Sequence, residues 1–323
     1  MLKKGVSIIL CCYNSELRLP KTLEYLAKQE LRKEIPVELL IVNNASTDRT
    51  KEIALEECKK FHDGFSYRMI DEEMPGQMYA RERGVQESLY EYILFCDDDN
   101  WLQPDYMQKA FDLMESTPRI GALSGQCIAV SDIDFPEWFP DFEEIYAVGT
   151  QAEDSGDISK KGWIWGAGMM SRRSLLIKVF DKKNSFLNQG RTGNVLTSGD
   201  DCEICKRILL SGYKLYYDKS LLIYHYINPE KLTWKYRKKL SEGINLADFI
   251  LRKYDFMIQE MNKSFMKKTG GILYDICKLF KPGASNDKLK SEIRAKTGLL
   301  FKSAKFVKDF EYKSIIRYLL ECN

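Results

Sequence analysis

Four short apolar runs recur down the first hundred residues, each followed by a stretch of helix length, and this alternation restricts the chain to few architectures. The runs are VSIILCC (6–12), VELLIV (37–42), FSYRMI (65–70) and YILFC (92–96), rich in the β-branched and aromatic residues that suit buried strands. Between them, PKTLEYLAKQ places a proline near a helix start, STDRTKEIALEECKKF carries a cap and a 3.6-residue apolar period, and ARERGVQESL is likewise helical. Strands alternating with helices predict an α/β fold with a parallel sheet of βαβ units. In open sheets of this kind, ligands bind beyond the carboxyl ends of the strands. The loops YNSE, NNASTD, DEEMPGQ and DDDNW are therefore expected to converge on one edge, and all four are polar.

Further along, PDYMQKAFDLMES predicts a helix and IGALSGQCIAV a strand. Residues 131–162 are acidic, aromatic and turn-rich, which predicts a long surface loop of the kind that forms lids or binding loops. GWIWGAGMMSRRSLL is expected to run from strand into helix, SGDDCEICKRILLSG to form a capped helix ended by Gly212, and KLYYDKSLLIYHY to form two short strands around a turn. From about residue 229 the chain is expected to be helical and amphipathic, with breaks at TGG and KPGASND. No internal repeat is present.

Charge divides the chain in the same place. Residues 1–230 carry 28 Lys and Arg against 37 Asp and Glu, whereas residues 231–323 carry 21 against 10. An acidic front and a basic tail are expected to face different partners. With 44% apolar residues the chain can bury a sizeable core. No apolar run approaches the roughly 20 residues needed to span a bilayer, and the opening MLKKGVSIIL leads into a strand without a signal-peptide cleavage site. Nine cysteines, most of them inside apolar segments, fit a reducing compartment, so a cytoplasmic location is expected. Cys202 and Cys205 form a C-x-x-C, but no second pair or neighbouring histidine accompanies them, and they read as helix core.

Asp97, Asp98 and Asp99 follow the fourth run directly. Three adjacent carboxylates at a ligand-binding edge suit a hard divalent ion such as Mg²⁺ or Mn²⁺; they also suit a solvated, helix-capping turn. Asp200 and Asp201 begin a helix, where the macrodipole favours acids, and one of them could take a proton from an attacking hydroxyl. His225 stands at a strand end as a structural residue or as a ligand beside a metal. Tyr13, Asn14 and the NNASTD loop could read a base and ribose, or could be turn chemistry alone. Arg81 could counter a phosphate or pair with an acidic neighbour. Neither G-x-G-x-x-G nor a Walker-type loop is present, which disfavours dinucleotide oxidoreductases and ATPases.

Taken in order, CCYN, VNNASTDRT, PGQMYARERG, ILFCDDDNWLQPD, WGAGMMSRRSL and SGDDCEICKRILLSGYKLYYDKSLLIYHY resemble the family 2 glycosyltransferases of the GT-A fold. The resemblance covers about residues 5–228. It implies a mostly parallel central sheet flanked by helices, forming a catalytic domain over 1–228 with a nucleotide-binding half (about 1–100) and an acceptor half (about 101–228). A basic, amphipathic helical extension then occupies 229–323. It implies an inverting transferase that moves a sugar from a nucleotide-diphosphate sugar to a glycan or lipid-linked acceptor in bacterial cell-surface polysaccharide synthesis. By the same resemblance Asp99 is the principal metal ligand, with Asp97 and Asp98 contacting ribose or metal and His225 approaching the metal or diphosphate. Asp201 is the general base, and Asp200 stands where glutamate is commoner. Tyr13, Asn14, Asn44 and Arg81 bind the nucleotide, and Trp165, Gly166 and Ala167 line the donor-sugar and acceptor site. Many members carry an aspartate where this chain has Asn43 and Asn44; an amide can both donate and accept, so a UDP-linked donor stays favoured.

The tail interleaves Lys and Arg with Phe, Leu, Ile and Trp, as in KLTWKYRKKLSEG. That composition fits a peripheral helix on an anionic membrane surface at the inner face, or helices packed on the catalytic domain or in a homodimer. It carries no nucleic-acid-binding motif. The competing functions are a nucleotidyltransferase, for which the expected triphosphate loop is missing, and a non-catalytic nucleotide-sugar or carbohydrate-binding protein.

Overall fold

The computed structural model describes residues 3–61, 65–181, 186–187, 198–263, 265–279, 286–300 and 309–321. The alternating runs form β1 (Lys3–Cys12), β2 (Val37–Asn44), β3 (Phe65–Glu72) and β4 (Tyr90–Asp97). Helices α1 (Leu19–Ala27), α2 (Thr50–Cys58) and α3 (Gln77–Glu87) connect them. They pair in parallel in the order β3-β2-β1-β4. Register aligns Cys11 with Val42 and Asp97, and Asn43 with Asp71, so the four polar loops leave the sheet along one edge.

Side-chain alternation sends Ile8, Leu10, Leu39 and Ile41 into a core with α1 and with α4 (Tyr106–Ser116). Ile9, Leu40 and Val42 point to the other face, against α3, α5 (Arg173–Val179) and α6 (Asp200–Leu210). Both faces of these strands are therefore covered, which explains why they read as unbroken apolar runs.

The sheet continues with β5 (Asn100–Leu102), β6 (Ile120–Val130), β7 (Gly156–Asp157), β8 (Met170–Arg172) and β9 (Lys214–Tyr226). The full order is β3-β2-β1-β4-β8-β6-β9-β5, with β7 paired to β9. The long strands β6 and β9 run parallel, while the short β5, β7 and β8 pair antiparallel. The result is the mostly parallel, helix-flanked sheet of the GT-A fold.

Several local expectations are corrected. KLYYDKSLLIYHY is a single strand, whose register slips opposite Ser124 and Gln126; the expected turn is a bulge inside it. WIWGAG is not a strand, since β8 begins only at Met170. Within 131–162 a 3-10 helix, Phe139–Tyr146, buries Phe139 and Tyr146 against Ile227, Leu232 and Leu240, so aromatic burial anchors what its polarity assigned to a surface loop. The residue before helix α6 is Gly199, which has no side chain to cap it and stands at φ 95°, a left-handed conformation that favours glycine.

After the short turn Pro229–Lys231, the tail forms α7 (Trp234–Asn262), α8 (Phe265–Leu279), α9 (Asn286–Leu300) and α10 (Asp309–Glu321). Thr233 caps α7 by accepting from the Tyr236 amide at 3.2 Å. TGG lies inside α8 and does not break it; KPGAS, 281–285, falls outside the described residues. Leu251, Tyr254 and Met257 of α7 pack with Leu210 of α6 and with Tyr312, Ile315 and Ile316 of α10, so the tail's core is joined to α6. No helix among the described residues is long and apolar enough to cross a membrane.

Candidate active site

A cavity of about 720 Å³ opens where the strand-end loops converge, between the sheet edge, the 3-10 helix Phe139–Tyr146 and α7. Tyr13, Asn44, Arg81, Asp97, Asp98, Asp99, Trp165, Gly166, Ala167, Asp200, Asp201 and His225 all line it. Residues separated by more than two hundred positions thus share one space.

Each carboxylate has a distinct environment. Asp97 ends β4 and accepts from Gln77 Nε2 at 3.0 Å, with Arg81 at 3.6 Å. Asp98 turns away toward α1, taking Arg18 at 2.6 Å and the Ser15 hydroxyl; Thr22 Oγ1 donates to its backbone carbonyl at 2.7 Å. Burial and the charge of Asp99 push the Asp98 carboxyl up despite Arg18. Asp99 is 8% exposed. Its Oδ2 lies 3.1 Å from Lys231 Nζ, its Oδ1 accepts from Asn100 Nδ2 at 3.1 Å, and His225 Nε2 approaches to 3.7 Å. Burial opposes ionisation of Asp99, but Lys231 and then His225 outweigh it and hold the carboxyl well below the usual carboxylate range. Antiparallel pairing of β5 with β9 sets Asn100 opposite His225, which is why the histidine meets the acidic loop.

The second acidic pair divides its roles. Asp200 Oδ2 binds Arg81 NH1 at 2.7 Å, and both side chains are buried. Arg81 also approaches Asp97, so one guanidinium joins the two acidic groups across the cavity. Among the described residues Asp201 takes no side-chain cation within ion-pair distance. Its Oδ2 accepts from the Gly166 amide at 2.9 Å and its Oδ1 from the Cys202 amide at 2.8 Å. Burial first, and then the negative charge of Asp200, push the Asp201 carboxyl up. A carboxylate held by backbone donors, partly desolvated and raised in basicity, is equipped to accept a proton. Gly166 allows this contact, because a Cβ there would stand 2.8 Å from Arg81 NH2 and 3.2 Å from the Asp201 Cβ.

Two expected nucleotide contacts are redirected. Asn14, with φ 48°, does not line the cavity; its Oδ1 accepts from the Thr47 amide at 2.8 Å, clipping the first two strand-end loops together. Asn44 borders the cavity, but its Nδ2 donates to the Met74 carbonyl at 2.6 Å and its Oδ1 accepts from the Gly76 amide at 2.8 Å. Its amide orders the third loop and is not free to read a base. Tyr13 remains 51% exposed at the cavity mouth. Asp97 does not join Asp99 and His225 in a metal cluster, and no three His, Cys, Asp or Glu among the described residues are so arranged. Cys202 faces the cavity and Cys205 the core; burial pushes the Cys205 thiol up to about 12, which suits core packing.

The site also recruits Arg18, Gln77, Lys206 and Lys231, none of which the sequence singled out. Arg18 and Gln77 lie at loop and helix starts beside the acidic edge, a signal that a charge-complement argument could have used. Lys231 sits six residues beyond His225 in YHYINPEK, inside a segment read as tail.

A family profile described as Glycosyl transferase family 2 matches residues 7–180, more than half of the chain. A poly-β-1,6-N-acetyl-D-glucosamine synthase of Staphylococcus epidermidis is 30% identical over 123 residues, 38% of this chain and 28% of that one. The synthase of the same name from Staphylococcus aureus (strain COL) is 22% identical over 252 residues, 76% of this chain and 57% of that one. The chain thus spans less than two thirds of the length of these relatives. Among solved structures, S. aureus TarS 1-349 in complex with UDP-GlcNAc superposes with a TM-score of 0.53 at 16% identity, covering 90% of this chain and 72% of that chain. That likeness concerns the fold. With the profile spanning β1 to α5, the chain belongs to glycosyltransferase family 2.

Proposed function

We propose that this chain transfers a sugar from a nucleotide-diphosphate sugar, UDP-linked, to a hydroxyl of a glycan or lipid-linked acceptor, with inversion, in cell-surface polysaccharide synthesis. The observation that carries the reading is the division between Asp200, paired to Arg81, and Asp201, held by the Gly166 and Cys202 amides in the same cavity as Asp97 to Asp99. Residues 1–228 would supply the chemistry, and helices from 229 onward would wall the acceptor side. The names of the relatives, two poly-β-1,6-N-acetyl-D-glucosamine synthases and a TarS complex with UDP-GlcNAc, are in line with this donor class.

In the proposed reaction Asp201 removes the acceptor proton as the hydroxyl oxygen attacks the anomeric carbon from the side opposite the departing diphosphate. The two backbone amides fix its carboxylate, so little reorientation accompanies proton transfer. Arg81 engages Asp200 in an ion pair, which leaves the proton transfer to Asp201, and holds Asp97 near the donor. Trp165 and Trp163 form an apolar wall beside Asp201 for the reacting sugars. Asp99 and His225 fit a divalent cation such as Mn²⁺ or Mg²⁺: they offer a hard carboxylate and, 3.7 Å from it, an imidazole Nε2. Such an ion would offset the negative charge that grows on the leaving diphosphate.

A lipid-linked acceptor is supported by α7, whose Leu240, Ile244, Ala247 and Leu251 recur at helical spacing along the cavity wall. Exposed Leu273, Tyr274 and Ile276 on α8 accord with an interfacial helix on an anionic inner membrane face. Co-sedimentation of the full chain with anionic vesicles would support this, and a concentration-dependent dimer without vesicle binding would replace it by subunit packing.

The test of the donor reading is a nucleotide-sugar panel with Mn²⁺ or Mg²⁺, read first by thermal shift and then by nucleotide release. Stabilisation by UDP-sugars, with release stimulated by a hydroxyl acceptor, is expected. Binding without release would leave a carbohydrate-binding protein; a triphosphate requirement would indicate a nucleotidyltransferase.

A further inference from the structure

We infer that Lys231 is a resident cation of Asp99 that a divalent ion must displace, and that its ammonium then moves to the donor diphosphate. This rests on the donor reading above. Asp99 is anchored on three sides: the Tyr226 amide donates to its carbonyl at 2.9 Å, Asn100 Nδ2 donates to Oδ1 at 3.1 Å, and His225 closes the same oxygen at 3.7 Å. Its Oδ2 faces Lys231 Nζ at 3.1 Å. The other cations at this edge are engaged elsewhere, Arg18 with Asp98 and Arg81 with Asp200 and Asp97.

Lys231 is built to be fixed at its root and movable at its tip. The turn Pro229–Lys231 is held by the Lys231 amide donating to the Asn228 carbonyl at 2.8 Å, and Tyr146 Oη donates to the Lys231 carbonyl at 3.0 Å. The four-carbon stem carries the charge into the cavity from a backbone that is not part of the sheet. A divalent ion seated on Asp99 and His225 would stand directly against this ammonium, so the two cations compete for the one carboxylate whose partner is Lys231, the neighbouring aspartates being paired with Arg18 and Arg81. A diphosphate removes the conflict by giving the ammonium a second anionic partner within reach of its stem. The geometry therefore couples metal entry to nucleotide entry: each is weak alone and stronger in the presence of the other.

The experiment measures free Mn²⁺ by electron paramagnetic resonance, and UDP affinity by calorimetry, on the full chain and on Lys231→Met and Lys231→Arg. In the unmodified chain Mn²⁺ alone should bind weakly and UDP should tighten it. Lys231→Met should bind Mn²⁺ alone about tenfold more tightly, bind UDP with Mn²⁺ about tenfold more weakly, and lose most of the coupling. Lys231→Arg, which keeps the charge, should retain the coupling, and its behaviour separates loss of charge from loss of folding. Unchanged affinity for Mn²⁺ alone in Lys231→Met would overturn the inference while UDP still binds the unmodified chain. Failure of UDP to bind the unmodified chain would instead overturn the donor reading itself.

Discussion

Two acidic groups face the same cavity, the run Asp97 to Asp99 and the pair Asp200–Asp201, and they solve the problem of adjacent like charges differently. In the first, each carboxylate has side-chain partners: Gln77 and Arg81 for Asp97, Arg18 for Asp98, Lys231 and His225 for Asp99. In the second, Arg81 pairs with Asp200, and the partners of Asp201 among the described residues are backbone amides. The consequence is opposite electrostatics, with Asp99 driven down and Asp201 driven up. Asp98, paired with Arg18, is nonetheless pushed up by burial and by Asp99, so the balance of burial and neighbouring charge at each carboxylate decides its basicity, and not its place in a run.

The sharpest way to break this comparison is Asp201→Asn. Turnover should fall roughly 10²- to 10⁴-fold, the usual worth of a positioned base, with UDP affinity by calorimetry unchanged. The folded value of Asp201 lies above its unfolded value, so the folded protein binds this proton more tightly. The stabilising effect of that proton is present at low pH and is lost as pH rises through the folded value. Asp201→Asn should therefore melt higher than the unmodified chain at pH 8, and the gap should close toward pH 4. An equal gap at both values would contradict the assignment.

Next in size is Arg81→Met, which leaves Asp200 buried without its cation. Urea denaturation should show a loss of about 3–5 kcal/mol, and Asp200→Asn in the same chain should recover part of it. A smaller effect is expected from Gly166→Ala, whose methyl group would press on Arg81 and Asp201. Donor turnover should drop by up to about 100-fold while the thermal midpoint moves little. In the pH dependence of turnover, the acidic limb should lie above the ordinary aspartate value of about 3.9, and turnover should be lost as pH falls through it. Because Arg81 lowers the Asp201 carboxyl, Arg81→Met should move that limb further up. The smallest effect belongs to Asp98→Asn, which removes one of several bonds at Arg18 and Ser15. About 1 kcal/mol of stability should be lost, with turnover read alongside to show that Asp98 stands outside the chemistry.

The long parallel strands were legible because their signal is local: apolar runs of strand length separated by helical periodicity. The strands β5, β7 and β8 were not, since two or three residues carry no period and form only where a neighbouring strand offers an edge. Asp97, Asp98, Asp99, Asp200, Asp201 and His225 could be picked out as chemistry-bearing residues, and the structure gathers them in one cavity. Asn14 and Asn44 are equally suitable by residue type, yet their side-chain oxygens accept from the Thr47 and Gly76 amides and so close loops, contacts between segments distant in the chain that no local pattern announces. Lys231 was invisible as a site residue, since a single lysine in a charged segment has no pattern of its own.

The order of strands and helices, the edge on which ligands would gather and the placing of acidic residues there follow from the sequence by itself, because each depends on periodicity and spacing over a few residues. Which cation meets which carboxylate was decided only by tertiary structure. Asp99 with Lys231, Arg81 with Asp200 and Gly166 with Asp201 are pairs distant in the chain, brought together by the closure of β5 on β9 and by the seating of α6 beneath the 166 loop. Electrostatic energy falls with distance in space and has no memory of separation along the chain, so the division of roles among five aspartates exists only once the chain has folded.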